Sequence, residues 1–179
     1  MKVLLHVCCA NCAIYPVKIL REANHRVTGY FFNHNIHPYQ EYRRRLDTVR
    51  DYAVLSKLPL VCIDDYGLEE FLSRVSQDPT GRCAYCYQSR LHRAAEYAAR
   101  HGFDAFTSSL LYSRYQDHDL IRQCGEEFAR LYGVTFLYQD FRSGWHEGIR
   151  TSKELGLYRQ QYCGCIYSEK DRYHPRSTN

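Results

Sequence analysis

Nine cysteines stand out in this chain of 179 residues, and seven of them form three short groups. The groups are Cys8, Cys9 and Cys12, then Cys83 and Cys86, and finally Cys163 and Cys165. Clustered thiols bind metal ions or iron–sulfur clusters, or perform dithiol redox chemistry. Seven thiols exceed the four ligands of a closed zinc site, so we predict a [4Fe–4S] cluster beside an additional iron ion or a dithiol. All seven are candidate metal ligands, and the six other than Cys12 are candidate cluster ligands.

The groups differ in their local context. The loop from Cys8 to Cys12 follows an apolar run, where a nucleotide-binding fold carries glycines, and its lack of glycine disfavours a phosphate-binding loop. The gap between Cys83 and Cys86 puts both sulfurs on adjacent helical turns. Because a polar loop rather than a strand precedes this pair, we favour metal binding over a thioredoxin-like dithiol. Cys62 and Cys124 lie inside a predicted strand and a predicted helix, so we predict only packing roles for them.

Candidate catalytic groups lie near the ends of predicted strands. Asp117, His118 and Asp140 are candidate general acids or metal ligands, although an aspartate at a helix start also has an ordinary capping role. His34 and His37 fall in a loop, where isolated histidines more often form hydrogen bonds than bind metal. We therefore predict proton transfer from the first three residues and hydrogen bonding from the two loop histidines.

Arginine far outnumbers lysine, and the net charge is +4. The planar guanidinium group binds phosphate through two parallel hydrogen bonds. An RNA-binding surface with stacking tyrosines is one interpretation, and solvated helix faces are the other. The arginines in question are Arg21, Arg43, Arg44, Arg45, Arg90, Arg93, Arg114, Arg142, Arg150 and Arg159.

The length of the chain predicts one domain that buries roughly two-thirds of its unfolded surface. No apolar run approaches the roughly 20 residues that a membrane helix requires. The apolar stretch at the N-terminus is too short for a signal peptide and lacks a small-residue cleavage site. We therefore expect a cytoplasmic protein without a membrane partner.

Apolar runs alternate with helical segments along the chain. Strands are predicted at 2–8, 27–33, 60–64, 105–109 and 135–140, and helices at 14–24, 38–57, 68–75, 83–102, 117–132 and 143–156. This alternation predicts a single α/β domain over 1–168, with a parallel five-stranded sheet and helices on both faces, as in Rossmann-like folds. Such sheets bind ligands beyond the carboxyl ends of their strands. Residues 169–179 are predicted to form a polar, frayed C-terminal tail.

Six segments, in this order and spacing, carry a family resemblance. They are Leu5–Cys12, Asn33–Tyr42, Arg82–Cys86, Gly102–Thr107, Tyr115–His118 and Leu157–Cys165. Together they resemble the cobalamin-independent epoxyqueuosine reductases, the QueH family. No common zinc module combines a Cys-Cys-x-x-Cys loop with a later Cys-Gly-Cys, so the motifs are specific. The resemblance extends to about Ser168, and family members typically carry proline at the position of Asn11.

The resemblance implies reduction of epoxyqueuosine to queuosine at the wobble position of tRNA anticodons. It implies a HUP-type fold in which an iron–sulfur cluster replaces the nucleotide, and it makes tRNA the partner. Since no flavin or nicotinamide motif is visible, electrons are expected from an external ferredoxin- or flavodoxin-like donor.

Two other functions compete with this one. A PP-loop-like tRNA sulfur transferase requires a Ser-Gly-Gly-x-Asp-type loop after the first strand, and the sequence has none there. A zinc protein that binds RNA without catalysis is the second alternative. Iron and sulfide in anaerobically purified protein would distinguish the reductase from the zinc protein.

Overall fold

The computed structural model describes residues 1–174, and their strands and helices alternate as the sequence predicts. The strands are β1 (Lys2–His6), β2 (Arg26–Phe31), β3 (Leu60–Cys62), β4 (Ala105–Ser108) and β5 (Thr135–Phe136). The helices are α1 (Ala10–Glu22), α2 (Tyr39–Leu55), α3 (Leu68–Val75), α4 (Arg82–Arg100), α5 (His118–Tyr132), α6 (Trp145–Glu154) and α7 (Ile166–Tyr173).

The five strands form one sheet in the order β3-β2-β1-β4-β5, and each neighbouring pair is parallel. The middle strand, β1, is apolar and fully buried at Val3, Leu4 and Leu5. Helix α1 packs with α2 and α6, whereas α4 packs with α3 and α5. These two helical layers cover the sheet, which confirms the predicted α/β class.

The strand order reverses at β1, because the chain runs outward to β2 and β3 before it returns to β4 and β5. The carboxyl ends of β1 and β4 are therefore the switch point at which such sheets bind ligands. Cys8 follows β1 there, and a 3-10 turn over Ser109–Tyr112 follows β4. The register, which pairs His6 with Ser108, brings these two connections side by side.

Two element boundaries differ from the prediction by four residues, more than any other. Helix α1 begins at Ala10 rather than at residue 14, because Cys9 has an extended backbone and serves as the N-cap. Strand β5 ends at Phe136 rather than at residue 140, since this edge strand pairs only with Ala105 and Phe106 of β4. The first correction places Cys12 within the first turn of a helix.

The predicted frayed tail is wrong for residues up to Tyr173, which belong to helix α7. The Cys165 Sγ atom accepts a hydrogen bond from the Ser168 N–H (3.4 Å), which caps this helix. An ion pair between Asp171 and Arg82 then fastens α7 to the start of α4. A polar sequence does not reveal a helix that is held by such distant contacts, and residues 175–179 of the predicted tail lie outside the described part.

The two solitary cysteines lie apart from the switch point, as predicted. Cys124 is 2% exposed in the core, and Cys62 packs against the same core from β3. Within residues 1–174, no helix combines the length and the apolar character that crossing a bilayer demands.

Candidate functional site

The first thiol group consists of Cys8, Cys9 and Cys12, at the carboxyl end of β1 and the start of α1. The three sulfurs all lie within 4.8 Å of one another, and the Cys8 and Cys9 sulfurs are 3.9 Å apart. Two sulfurs that bind one ion at 2.3 Å are about 3.8 Å apart in a tetrahedral site. In the described part of the chain, this is the one cluster of three possible ligand atoms at such spacing. The first thiol group can therefore hold a metal.

Thiolate character is concentrated on Cys8. Hydrogen bonds from the Cys12 and Cys9 thiols, supported by the Ser109 hydroxyl and the Arg90 charge, hold the pKa of Cys8 well below its ordinary value. The Ser109 Oγ atom lies 3.3 Å from the Cys8 sulfur and also accepts the Cys8 backbone N–H at 3.0 Å. The same hydrogen bonds raise the pKa of Cys12. The site thus presents one thiolate and keeps its neighbours as thiols until a cation arrives.

The second thiol group consists of Cys83 and Cys86 at the start of α4, together with Cys163 and Cys165 before α7. Burial raises the pKa of Cys86 to about 12, and the charges of Cys163 and Cys165 raise it further. Burial also raises the pKa of Cys83, again with help from Cys163 and Cys165. The ion pair between Arg82, the neighbour of Cys83, and Asp171 of α7 joins the two segments that carry these four thiols. Cys86 and Cys165 are buried, whereas Cys83 and Cys163 are exposed.

Arg90 connects the two thiol groups and is not the surface arginine that the sequence suggested. It is 2% exposed, and its guanidinium donates to the Cys86 sulfur at 2.9 Å. Its charge also acts on Cys8, and the charge of Cys163 acts on it in turn. Within residues 1–174 no carboxylate lies within 4.0 Å of Arg90. A buried cation needs a partner, and here the Cys86 sulfur accepts its hydrogen bond while the Cys8 thiolate supplies an opposite charge.

Arg45 holds the segment that carries Cys163, and it too is buried rather than part of a solvated face. Its guanidinium donates to the backbone oxygens of Cys163 at 2.6 Å and Tyr162 at 2.9 Å. The Glu41 carboxylate balances its charge at 2.7 Å. This buried ion pair on α2 fixes half of the second thiol group in place.

The loop histidines form hydrogen bonds, as predicted. The His37 ring donates to the His34 oxygen at 3.1 Å, and its other nitrogen accepts from the Ile166 backbone N–H at 3.4 Å. The His34 ring bonds the Ser89 hydroxyl at 2.9 Å. Burial lowers the pKa of both histidines to about 4, so both are neutral. Neutral His37 thereby docks the start of α7.

Asn11 and Gln160 close the site over the first thiol group. The Asn11 amide donates to the Tyr158 backbone oxygen at 3.0 Å and to the Gln160 side chain at 2.7 Å, and its oxygen accepts from Ser152. The Gln160 amide in turn donates to the Cys9 sulfur at 3.0 Å. A polar residue at position 11 therefore ties the 158–160 segment to α1.

A cleft of about 880 Å³ opens beside both groups, with Cys8, Cys12 and Cys163 in its wall. Its positive side chains are Arg45, Arg90, Arg159 and Arg172. Asp171 is the one carboxylate among the described lining residues, and Arg82 neutralises it. Four aromatic residues also line the cleft, namely Tyr112, Tyr115, Trp145 and Tyr162. The cleft thus suits an anionic ligand with flat rings.

Most of the other predicted RNA-binding arginines have local partners. Arg21 caps the end of α2 through the backbone oxygens of Ser56 and Lys57. Side-chain ion pairs engage Arg43, Arg93, Arg142 and Arg150. Arg114 and Arg159 remain exposed beside or within the cleft, and Arg44 lies over the Tyr158 ring. The predicted surface is therefore narrower than the arginine count suggested.

None of the three predicted catalytic acids belongs to the described wall of the cleft. Asp117 is exposed and caps α5 through the Leu120 N–H (3.0 Å). Hydrogen bonds from Arg142 lower the pKa of Asp140 to about 2, so this carboxylate is ionised. His118 is 7% exposed and donates to the backbone oxygen of Ser113, a cleft residue, at 3.3 Å. Of the three, His118 approaches the cleft most closely, and the catalytic roles stay predictions.

Sequence reasoning missed several residues of this site, including Ser109, Gln160, Trp145 and Asp171. Gln160 belongs to a motif that carries the family resemblance, so its position relative to Cys163 was a usable signal. The single tryptophan of the chain, Trp145, was another. Ser109 lies at the end of the fourth predicted strand, where such sheets bind ligands, so its position was a signal as well. Asp171 carries no local signal, because distant segments determine its contacts.

Comparison with known proteins identifies relatives of this chain. The family model described as Epoxyqueuosine reductase QueH matches residues 3–171. A protein of Dehalococcoides mccartyi named Epoxyqueuosine reductase QueH is 40% identical over 96% of this chain and 94% of its own length. Proteins of the same name from Haemophilus influenzae and Thermotoga maritima are 36% and 34% identical; the matches cover 95% of this chain in both cases, and 72% and 91% of those proteins.

Solved structures also resemble this fold. One of them is the crystal structure of a predicted subunit of tRNA methyltransferase from Methanocaldococcus jannaschii, with a TM-score of 0.54 at 12% identity. The match covers 84% of this chain and 76% of that one. At this identity the likeness supports the parallel α/β architecture alone.

Proposed function

The chain belongs to the epoxyqueuosine reductase QueH family, and from this premise we propose that it converts epoxyqueuosine in tRNA to queuosine. It is accordingly an oxidoreductase, and its cysteine cluster can bind metal. The observation that carries the proposal is the position of the two thiol groups. Both lie at the switch point of the sheet, beside a cleft with four arginines and one neutralised carboxylate among its described lining residues.

The donor set fits a [4Fe–4S] cluster with an additional iron ion. Thiolates are the ligands that such clusters prefer, and one cluster uses four of them. The two groups supply seven sulfurs, so three remain for a second ion or a dithiol. When bound, the cluster supplies single electrons and the adjacent ion supplies a Lewis acid for an oxygen ligand. Arg90, the buried counter-charge between the groups, stabilises the thiolates that both centres need.

The proposed reaction is a reductive deoxygenation. Both carbon–oxygen bonds of the epoxide break, a carbon–carbon double bond forms, and the oxygen leaves as water. The balance requires two electrons and two protons. The electrons come from outside the chain, and we propose a ferredoxin- or flavodoxin-like donor. Cys83 and Cys163 are the exposed members of the second thiol group, so electrons enter most directly at that edge.

The substrate is bound by polar side chains of the protein itself. Arg159 and Arg172 are exposed in the cleft, where their charges can bind RNA phosphates. Because phosphate neutralisation releases counterions, the logarithm of affinity should fall linearly with the logarithm of salt concentration. The Asn11–Gln160 cover shields Cys9, whereas Cys8 and Cys12 line the cleft. A protein group that contacts the cleft wall is placed to deliver the proton.

For that proton we propose His118, since it contacts Ser113 in the cleft wall. Replacing His118 with Asn should lower kcat by about 100-fold, the lower range for a general acid. Replacing Asp117 with Asn is the matched control, because Asn caps a helix as well as Asp does. Unchanged kcat in His118→Asn, with tRNA affinity also unchanged, would exclude His118 as the acid.

The test of the function is metal analysis combined with turnover. Anaerobically reconstituted protein should contain iron and sulfide, absorb near 400 nm, and convert epoxyqueuosine in tRNA with a chemical reductant. More than four irons per chain supports the additional ion, and four irons in an active enzyme leaves the dithiol. Zinc without iron, and RNA binding without turnover, would instead identify the zinc protein.

A further inference from the structure

The wall of the cleft that holds the thiols also carries a cluster of aromatic rings that the reduction itself does not require. The cluster comprises Tyr112, Tyr115 and Trp145, and we call it the aromatic platform. Tyr112 stacks on Trp145 with ring centroids 5.3 Å apart and an angle of 27° between the planes. Tyr115 meets Trp145 edge-on at 5.8 Å. All three residues line the cleft together with Cys8 and Cys163.

The fold holds the platform rigidly. The Tyr112 hydroxyl donates to the backbone oxygen of Trp145 at 2.9 Å, which ties the turn after β4 to the start of α6. Gly148 permits this approach, because a Cβ atom there would collide with the Tyr112 hydroxyl. The Tyr115 backbone N–H donates to the Ser113 hydroxyl at 3.2 Å and fixes the turn that presents the ring. Two rings are therefore positioned before any ligand arrives.

Exposure distinguishes Tyr115 from the other tyrosines of the cleft. Its side chain is 85% exposed although its neighbours Tyr112 and Trp145 are packed. An exposed aromatic ring beside packed rings offers a flat apolar face that water solvates poorly. No packing role explains a ring held in this way, and a stacking role does.

Positive charge surrounds the platform. The Arg114 guanidinium lies 5.6 Å from the centre of the Trp145 ring, and Arg159 lines the same cleft. Neither arginine has a carboxylate within 4.0 Å in the described part of the chain. Aromatic faces interleaved with unpaired cations are the combination that binds single-stranded nucleic acid, whose bases stack while its phosphates pair with arginine.

We propose that the aromatic platform is a nucleobase-binding subsite, on which Tyr115 stacks an unpaired anticodon-loop base next to the nucleoside under reduction. The identity of the RNA in this proposal rests on the proposed function. The position of the stacked base rests on the aromatic platform. Splaying a neighbouring base onto Tyr115 would place the modified nucleoside in the cleft that the thiols line.

Trp145 is the only tryptophan in the chain, so its fluorescence reports on the platform alone. The reconstituted protein is titrated with an anticodon stem–loop RNA that has guanosine at the wobble position, and with a fully paired RNA of equal length. Affinity is measured separately by anisotropy of labelled RNA. The stem–loop should quench Trp145, whereas the paired RNA should not.

Three variants complete the experiment. Tyr115→Ala should weaken stem–loop binding by roughly 5- to 100-fold, the effect of losing one stacked base. Tyr115→Phe should bind like the wild type, since stacking needs the ring and not the hydroxyl. Tyr39→Ala is the control, because Tyr39 is a half-exposed tyrosine outside the described cleft wall. This variant should change affinity less than twofold.

The proposed base stacking on the aromatic platform is wrong if Tyr115→Ala binds with wild-type affinity, or if the stem–loop does not quench Trp145. This holds even if the protein reduces epoxyqueuosine. Quenching and ring dependence without turnover support the platform while the reductase assignment fails. Absence of stem–loop binding by the wild type overturns the platform and counts against the reductase as well.

Discussion

The first thiol group comes from five consecutive residues, whereas the second is assembled from two segments that are far apart in the chain. Cys8, Cys9 and Cys12 take their positions from β1 and from the first turn of α1. Cys163 and Cys165 are held near Cys83 and Cys86 by distant contacts, from Arg45 and His37 to the C-terminal segment and from Arg82 to Asp171.

This difference indicates which of the two thiol groups is more easily disrupted. A cluster built on adjacent positions survives as long as one strand and one helix do. A cluster built from two segments depends on every contact that joins them, and those contacts here include one buried ion pair and one neutral histidine. We therefore expect the second thiol group to be lost first when the fold is perturbed.

The largest expected effect comes from the cysteines themselves. Cys83→Ser and Cys86→Ser should each lose iron and reduce turnover to background, because Ser is a poor cluster ligand. Cys62→Ser and Cys124→Ser are the matched controls and should retain both, since these thiols lie away from the cleft. Iron and sulfide analysis of the four proteins measures this. Equal iron loss in all four would contradict the grouping.

Arg45→Met should detach the C-terminal segment and leave Glu41 as an unpaired buried charge, at a cost of about 3–5 kcal/mol in unfolding free energy. Cys163 and Cys165 should then react faster with iodoacetamide, while Cys9 and Cys12 stay protected. Urea unfolding and mass-spectrometric mapping measure both effects.

The control for Arg45 is Arg122, which pairs with Glu126 at the same 2.7 Å and the same helical spacing, but in solvent. Arg122→Met should cost less than about 1 kcal/mol. The double variant Arg45→Met with Glu41→Gln should recover part of the loss, because it removes the stranded carboxylate. Equal costs for Arg45→Met and Arg122→Met would show that the buried pair does not hold the segment.

Acid should weaken the second thiol group through His37. The unfolded chain protonates this histidine near its ordinary pKa of 6.5, whereas burial lowers the pKa of folded His37 to about 4. The unfolded state therefore binds more protons between these values, and stability falls as the pH drops from 6.5 toward 4, by about 3 kcal/mol at most. Above pH 6.5 the contribution is fully present.

The measurement is the unfolding free energy of metal-free protein at pH 7 and pH 5, for the wild type and for His37→Asn. The variant should lose less stability over this interval. Exposed His101→Asn serves as the control and should follow the wild type. A steeper loss in His37→Asn than in the wild type would contradict the neutral role of His37.

The smallest expected effect concerns the cover of the first thiol group. Asn11→Ala removes three side-chain hydrogen bonds and should cost about 1–3 kcal/mol, since buried partners lose their bonds. Alkylation of Cys9 should become faster while that of Cys86 does not change. Gln161→Ala, on an exposed neighbour of the cover, should alter neither rate. Faster alkylation at Cys86 alone would show that Asn11 and Gln160 protect the second thiol group rather than the first.

The sequence alone was sufficient for the fold class, the order of all five strands along the chain, the first six helices and the separation of Cys62 and Cys124 from the other seven cysteines. These features are local, since strand and helix patterns and cysteine spacing are written in neighbouring residues. The family resemblance has the same origin, because its motifs are short segments in a fixed order.

Tertiary structure alone decided the rest. Arg45 and Arg90 look like surface residues in the sequence, yet both are buried because their partners, Cys163 and Cys86, need a cation or a donor at that place. Helix α7 forms from a polar segment because Cys165 caps it and Arg82 anchors it. Burial, charge and helix ends depend on which distant groups come into contact, and chain neighbours do not determine that.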